Sequence, residues 1–234
     1  MIYGSFAEVY DELMWDLDYK KLANFIKEEI EGKTILEMAC GTGTIIELLE
    51  DKYEMEGFDL SEDMLAIARN KVKAPLYKLD IKNFNMMKTY DGILCLSDSL
   101  NYILQTEDLE NIFKNVYKHL NNEGKFIFDL NTHEKFLSME KIYVDESENA
   151  FYVWEDYYDE DKRLNTYYVN FFIRDKDKYK RVTEEHIEKA HDLKKIEAYL
   201  KRAGFDIKKY NDYNREGDVK GSHRMTFVCK KWEK

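Results

Sequence analysis

Four positions in the 234-residue sequence combine a residue type with a spacing suited to ligand chemistry. ILEMACGTGT at 35–44 runs from an apolar stretch into a turn holding Gly41 and Gly43. Glycine there opens backbone conformations that other residues avoid and lets a ligand approach main-chain N–H groups closely. Alone, Gly-x-Gly also fits a purely structural strand-to-helix turn. The next residues discriminate between ligands. A dinucleotide fingerprint would place a third glycine where this chain has Ile46, which disfavours a pyrophosphate clamp and with it a nicotinamide-dependent oxidoreductase. Glu37 lies just ahead of the turn, and Asp59 closes the apolar run in GFDLS, where a carboxylate can accept both hydroxyls of a ribose. Its bland alternative, capping the following helix, falls better to Ser61. Asp80 in YKLDIKNF can accept a hydrogen bond from an adenine amino group while Ile81 packs on the ring, or can simply make a turn.

These positions have meaning only if the fold brings them together. Five apolar runs (34–39, 53–60, 74–80, 90–97 and 124–131) are separated by stretches with helical spacing, and strand-helix alternation of this kind predicts parallel strands joined by crossover helices. SEDMLAIARNKV carries its cap at Ser61, TEDLENIFKNVYKHL begins in the same way at Thr106, and HDLKKIEAYLKRAGF ends at Gly204. FDIKKYNDY and HRMTFVCKK supply two final strands. The expected fold is α/β, a Rossmann-like doubly wound, mostly parallel seven-stranded sheet. Gly41, Asp59 and Asp80 then fall at the carboxyl ends of three consecutive strands, the edge at which open α/β sheets bind ligands. After Asn131 the rhythm changes to long aromatic β-rich runs broken at DEDK and DKDK, which predicts a three-stranded antiparallel insertion over roughly 148–190.

EMACGTGT, FDLS and LDI resemble the successive cofactor motifs of class I S-adenosylmethionine-dependent methyltransferases, and YGSFAEVYDELM and DSLNYI extend the likeness along the chain. Within that class the chain looks like small-molecule enzymes with an N-terminal lid and a β-insertion. The resemblance implies one domain over 1–234: a helical lid over 1–30, a Rossmann-like core over 34–131 and 191–234, and an antiparallel insertion over 140–190. It implies that S-adenosylmethionine is the cofactor, with Gly41 and Gly43 at its methionine part, Ala39 also in contact with it, Glu37 supporting the turn or the amino group, and Asp59 at the ribose. Asp80 and Ile81 would meet the adenine, Leu60 and Met64 its other face, and Leu96 would lie beneath. Tyr3 and Tyr10 would fold over the methionine end, with ordinary helix packing as the competing account of both.

Methyl transfer needs mainly an aligned acceptor lone pair, and an amine must also arrive neutral, which calls for a base. Asp98, Asn101 and Tyr102 after the fourth strand, His133 after the fifth and His186 in the insertion are the candidates. Each also fits a plain structural role. Aromatic residues of the insertion, Trp154 and Tyr168 among them, suit either an acceptor wall or a dimer interface.

Composition narrows the partners. A formal charge of -11, from 47 acidic and 36 basic side chains, repels polyanions, so no nucleic acid is expected and methylation of RNA or protein is the lesser alternative, beside a cofactor-binding module without turnover. Cys40, Cys95 and Cys229 lack metal or redox spacing, which predicts reduced thiols and no metal. Without a leader or a membrane-length apolar run, the expectation is a cytoplasmic protein, monomer or homodimer, acting on a small-molecule methyl acceptor.

Overall fold

The computed structural model describes residues 10–13 and 17–232. The five apolar runs form β1 (Thr34–Met38), β2 (Glu54–Asp59), β3 (Leu76–Lys78), β4 (Tyr90–Cys95) and β5 (Leu120–Asn131), and the two late runs form β10 (Phe205–Asn211) and β11 (Arg224–Lys231). They make one seven-stranded sheet in the order β10-β11-β5-β4-β1-β2-β3, parallel except where β11 pairs antiparallel with β5 and β10. Strand order reverses between β1 and β4, so a crevice opens at their carboxyl ends.

Alternate strand residues bury on opposite faces. Leu36, Ile93 and Phe126 belong to one apolar cluster, while their neighbours Ile35, Leu94 and Ile127 belong to the other. Both faces are therefore covered, as a parallel sheet requires. Helices α2 (Tyr19–Glu29), α3 (Thr44–Leu49), α4 (Glu62–Lys71), α5 (Thr106–His119) and α7 (Leu193–Ala203) supply the cover, with short α1 (Tyr10–Leu13) and α6 (His133–Ser138) nearer the crevice. Ser61 caps α4 by accepting from Met64 N, and α7 ends on Gly204 at φ +106°, as their sequences predict. Thr106 does not cap α5. Gln105 precedes the helix without a side-chain bond, and the Thr106 hydroxyl instead meets His191 Nδ1 at 3.1 Å.

The insertion has four strands rather than three: β6 (Ile142–Glu146), β7 (Ala150–Asp159), β8 (Leu164–Asp175) and β9 (Lys178–Lys189), antiparallel in that order. The two polar breaks are the β7–β8 and β8–β9 hairpins. The unforeseen β6 is a five-residue edge strand whose side chains are mostly exposed, so it shows no alternating apolar pattern. A third cluster joins Tyr152, Tyr167 and Phe171 of this smaller sheet to Met64 of α4 and Phe136 of α6. Burying each such side chain is worth about 1.5–3 kcal/mol, enough to hold the insertion as a roof over the crevice.

Candidate active site

β1 ends in a turn with three residues at positive φ: Ala39 (+52°), Gly41 (+53°) and Gly43 (+79°). Asp59, at the tip of β2, braces that turn. Its Oδ2 accepts from Gly41 N at 2.8 Å and its Oδ1 from Ser61 N at 2.8 Å. The two glycines serve different ends. A Cβ on Gly41 would meet nothing within 4 Å, whereas one on Gly43 would sit 3.2 Å from Ala68 Cβ and 3.3 Å from Val72 Cγ1. Gly43 thus allows close packing of the turn on α4 and is absent from the cavity wall, while Gly41 opens into the cavity.

Behind the turn, Glu37 is 4% exposed, and among the described residues its Oε2 has no hydrogen-bond partner. Burial pushes the Glu37 carboxyl well above its usual range, and repulsion from Asp59 adds to the effect. Burial also raises Asp59, against the pull of the Ser61, Gly41 and Leu60 N–H groups. The two carboxyls concentrate negative potential beside a bare backbone turn, an arrangement that suits a cationic ligand.

The crevice is a cavity of about 1730 Å³. Glu37, Ala39, Gly41, Asp59 and Leu60 line it from the tips of β1 and β2, and Met64, Asp80, Ile81 and Leu96 continue the wall. Asp59, at the tip of β2, and Asp80, two residues past the end of the adjacent β3, therefore share one rim. Tyr10 of α1 also reaches the wall, whereas Tyr3 lies outside the described residues. Next to Tyr10, Asp11 Oδ1 accepts from the Thr42 hydroxyl at 2.5 Å, and Asp11 Oδ2 pairs with Lys71 Nζ at 2.5 Å. These contacts hold α1 across the glycine turn.

On the opposite side, Asp129 at the end of β5 is fully buried and gathers three segments. It accepts from Ser97 N at 2.8 Å, Asp98 N at 2.7 Å, Arg224 at 2.9 Å and the Tyr213 hydroxyl. Arg224 also pairs with Asp98 at 3.1 Å. Ser97, Asp98, Asp212 and Tyr213 all have positive φ, and each lines the cavity. Left-handed backbone in non-glycine residues costs roughly 1–2 kcal/mol apiece, and the Asp129 cluster holds it in place.

Residues 35–124 match a family described as a methyltransferase domain. The YqeM protein of Bacillus subtilis (strain 168), which carries a provisional methyltransferase name, is 32% identical across 99% of this chain and 98% of its own. An S-adenosylmethionine-dependent methyltransferase from Clostridium acetobutylicum ATCC 824 superposes with a TM-score of 0.89 at 36% identity, over 99% of both chains. This chain belongs to the S-adenosylmethionine-dependent methyltransferases. A more distant member, the dTDP-3-amino-3,4,6-trideoxy-alpha-D-glucopyranose N,N-dimethyltransferase of Streptomyces venezuelae, is 30% identical over 53% of this chain and 56% of its own length.

The crevice of this methyltransferase fits its cofactor on two counts. Glu37 presents an unpartnered carboxylate oxygen, the complement of an ammonium group, and the Cα of Gly41 leaves its space open. The candidates for the acceptor side separate. Asp98 and Tyr102 line the cavity, and so does His186, whose Nε2 meets Glu184 Oε2 at 3.0 Å and whose Nδ1 meets the Tyr102 hydroxyl at 3.4 Å. Asn101 is absent from the cavity wall. It is fully buried, donates to the carbonyls of Asn131 and Lys189 at 2.9 Å and accepts from Asn131 N at 3.0 Å, so its amide is used up in bracing main chain. His133 is engaged elsewhere. As the first residue of α6 it turns onto the Tyr158 hydroxyl at 2.6 Å and is absent from the cavity wall.

Sequence reasoning passed over Asp129, Arg224, Glu184 and Glu188. For the two glutamates a signal existed: in EEHIEK alternate positions are ionisable where a half-buried strand usually places apolar residues on one face. Among the described residues no helix is long and apolar enough to cross a membrane.

Proposed function

We propose that this methyltransferase acts on a nitrogen or oxygen of a small molecule held between the strand tips and the β6–β9 roof. The observation that carries the reading is the single cavity of about 1730 Å³, which runs from the Gly41–Asp59–Asp80 rim to the aromatic underside of the roof. Ordinary small-molecule sites occupy roughly 300–1,000 Å³, so this space takes two ligands side by side. The dimethyltransferase relative acting on a nucleotide-linked amino sugar supports an acceptor of that size.

In this reading Glu37 holds the amino group of the cofactor, Asp59 its ribose hydroxyls, and Asp80 with Ile81 its adenine. Leu60, Met64 and Leu96 pack against it, and Tyr10, held by the Asp11 contacts, closes over its methionine end. Bound there, S-adenosylmethionine supplies a methyl carbon activated by a positively charged sulfur. The chain's own contribution is placement: the Asp129 cluster fixes the Ser97–Asp98 turn, and the roof excludes water and orients the acceptor. The lid, core and insertion act as one catalytic unit. The acidic surface opposes a nucleic-acid acceptor, and the three buried free thiols suit a reducing cytoplasm.

Calorimetric titration with S-adenosylhomocysteine tests the cofactor roles. Asp59→Ala removes the ribose acceptor and the brace on Gly41, and two charge-assisted hydrogen bonds are worth roughly 3 kcal/mol or more, so affinity should drop at least about 100-fold. Absence of binding heat from the parent protein would overturn the reading.

A further inference from the structure

Glu184, His186 and Glu188 are alternate residues of β9, and all three point inward, at 8%, 6% and 2% exposure. Glu184 and His186 partner each other. Glu188 differs. Its Oε2 accepts a hydrogen bond from Asn131 Nδ2 at 3.1 Å, although a carboxylate has room for about four donors. Glu188 also lines the cavity. A buried, cavity-facing carboxylate with acceptor capacity to spare can take a donor from a ligand.

We propose that Glu188 receives a proton from the methyl acceptor, and that this acceptor is an amine entering as its ammonium ion. The inference rests on the methyl-transfer reading above. The groups around Glu188 favour it. Asp98, from the turn after β4, adds a second negative charge, and Tyr167 faces Glu188 from β8. Arg224 of β11 is already engaged by Asp98 and Asp129, and Lys135 of α6 donates to Asn131 Oδ1 at 3.0 Å, which orients the Asn131 amide toward Glu188. His186, on the same strand, is held by Glu184 and Tyr102.

Tyr152, Trp154 and Tyr167 line the cavity beside these carboxylates. An acidic group next to aromatic faces attracts an organic cation and repels an anion. Burial and Asp98 together push the Glu188 carboxyl well above its usual range, against Lys135, Asn131 and Arg224, and so increase its hold on a proton. In the proton step one N–H bond of the ammonium breaks and its electron pair stays on nitrogen as the lone pair that accepts the methyl group. An O–H bond forms on Glu188. An ammonium brings the positive charge that this carboxylate attracts and a neutral hydroxyl does not, so Glu188 also favours nitrogen over oxygen.

Matched probes on the full chain saturated with S-adenosylhomocysteine provide the test: 2-phenylethylamine and 2-phenylethanol, titrated calorimetrically between about pH 5 and 9. The amine should bind at least about 10-fold more tightly near neutrality, and the preference should fade as pH falls through the Glu188 titration, because the attraction needs the ionised carboxylate. Glu188→Gln should erase the preference with S-adenosylhomocysteine affinity kept, and Glu188→Asp should restore part of it. Should the Gln variant not fold, the pH course of the parent protein decides. Equal binding of the two probes, no amine binding, or a preference that survives in Glu188→Gln overturns the proposal. Loss of S-adenosylhomocysteine binding by the parent would instead sink the methyl-transfer reading beneath it.

Discussion

Replacing Glu37 with glutamine should move stability and cofactor affinity in opposite directions. In the ligand-free protein this carboxyl is buried, has one oxygen without a partner and is repelled by Asp59. A buried, repelled charge costs more than a neutral amide in the same place, by about 1–3 kcal/mol, so removing the charge should stabilise the protein by that order at neutral pH. For a chain of this size each kcal/mol shifts the melting temperature by about 2–4 °C, giving a rise of about 2–12 °C. The pH course follows from the direction of the shift. An acid raised on folding gives its full contribution to stability below its unfolded value of 4.5, and loses it as pH rises through the higher folded value. Glu37→Gln lacks this dependence, so its advantage should be nil near pH 4 and widen toward neutrality. Affinity for S-adenosylhomocysteine should fall, because a charge-assisted hydrogen bond to the cofactor ammonium is worth about 1.5–3 kcal/mol, or roughly 10- to 150-fold. Differential scanning fluorimetry at several pH values, with calorimetry alongside, reads both quantities. A variant that melts lower at neutral pH and binds S-adenosylhomocysteine as tightly as the parent would refute the placement of Glu37.

Two further substitutions probe the scaffold around the site. Arg224→Met takes the guanidinium from the fully buried Asp129, and breaking such a pair should cost about 3 kcal/mol, read as a lower urea midpoint at unchanged slope. Gly43→Ala forces a Cβ to 3.2 Å from Ala68 at φ +79° and should destabilise by about 1–3 kcal/mol; an unchanged midpoint would show that α4 gives way.

The strand scaffold and the Gly41–Asp59–Asp80 rim were legible because their signals are local. Each of Gly41, Asp59 and Asp80 ends an apolar run, and parallel order alone brings such ends together. The acceptor side was much less legible, because its partners are distant in the chain: Asp129 meets Arg224 across 95 residues and Tyr213 across 84. Alternation in β9 shows that Glu184, His186 and Glu188 share a face, but only the seating of the insertion decides that this face looks inward. His133 stands in the right place along the chain, yet the first turn of α6 rotates it onto Tyr158. Nor can spacing distinguish a glycine required by a ligand from one required by a neighbouring helix, which is why Gly41 and Gly43 read alike until α4 is in view.

The crevice has unequal banks. The bank beside β5 hangs from one desolvated carboxylate, Asp129, so moving it would break several bonds together. Across from it, α1 is tied down through Asp11, by a hydrogen bond from Thr42 and an ion pair with Lys71 whose side chains are 20% and 43% exposed, and an exposed pair of that kind resists by about 1 kcal/mol or less. Among the described contacts α1 is therefore the more loosely held bank, and a bulky fusion attached there should slow turnover without touching the chemistry.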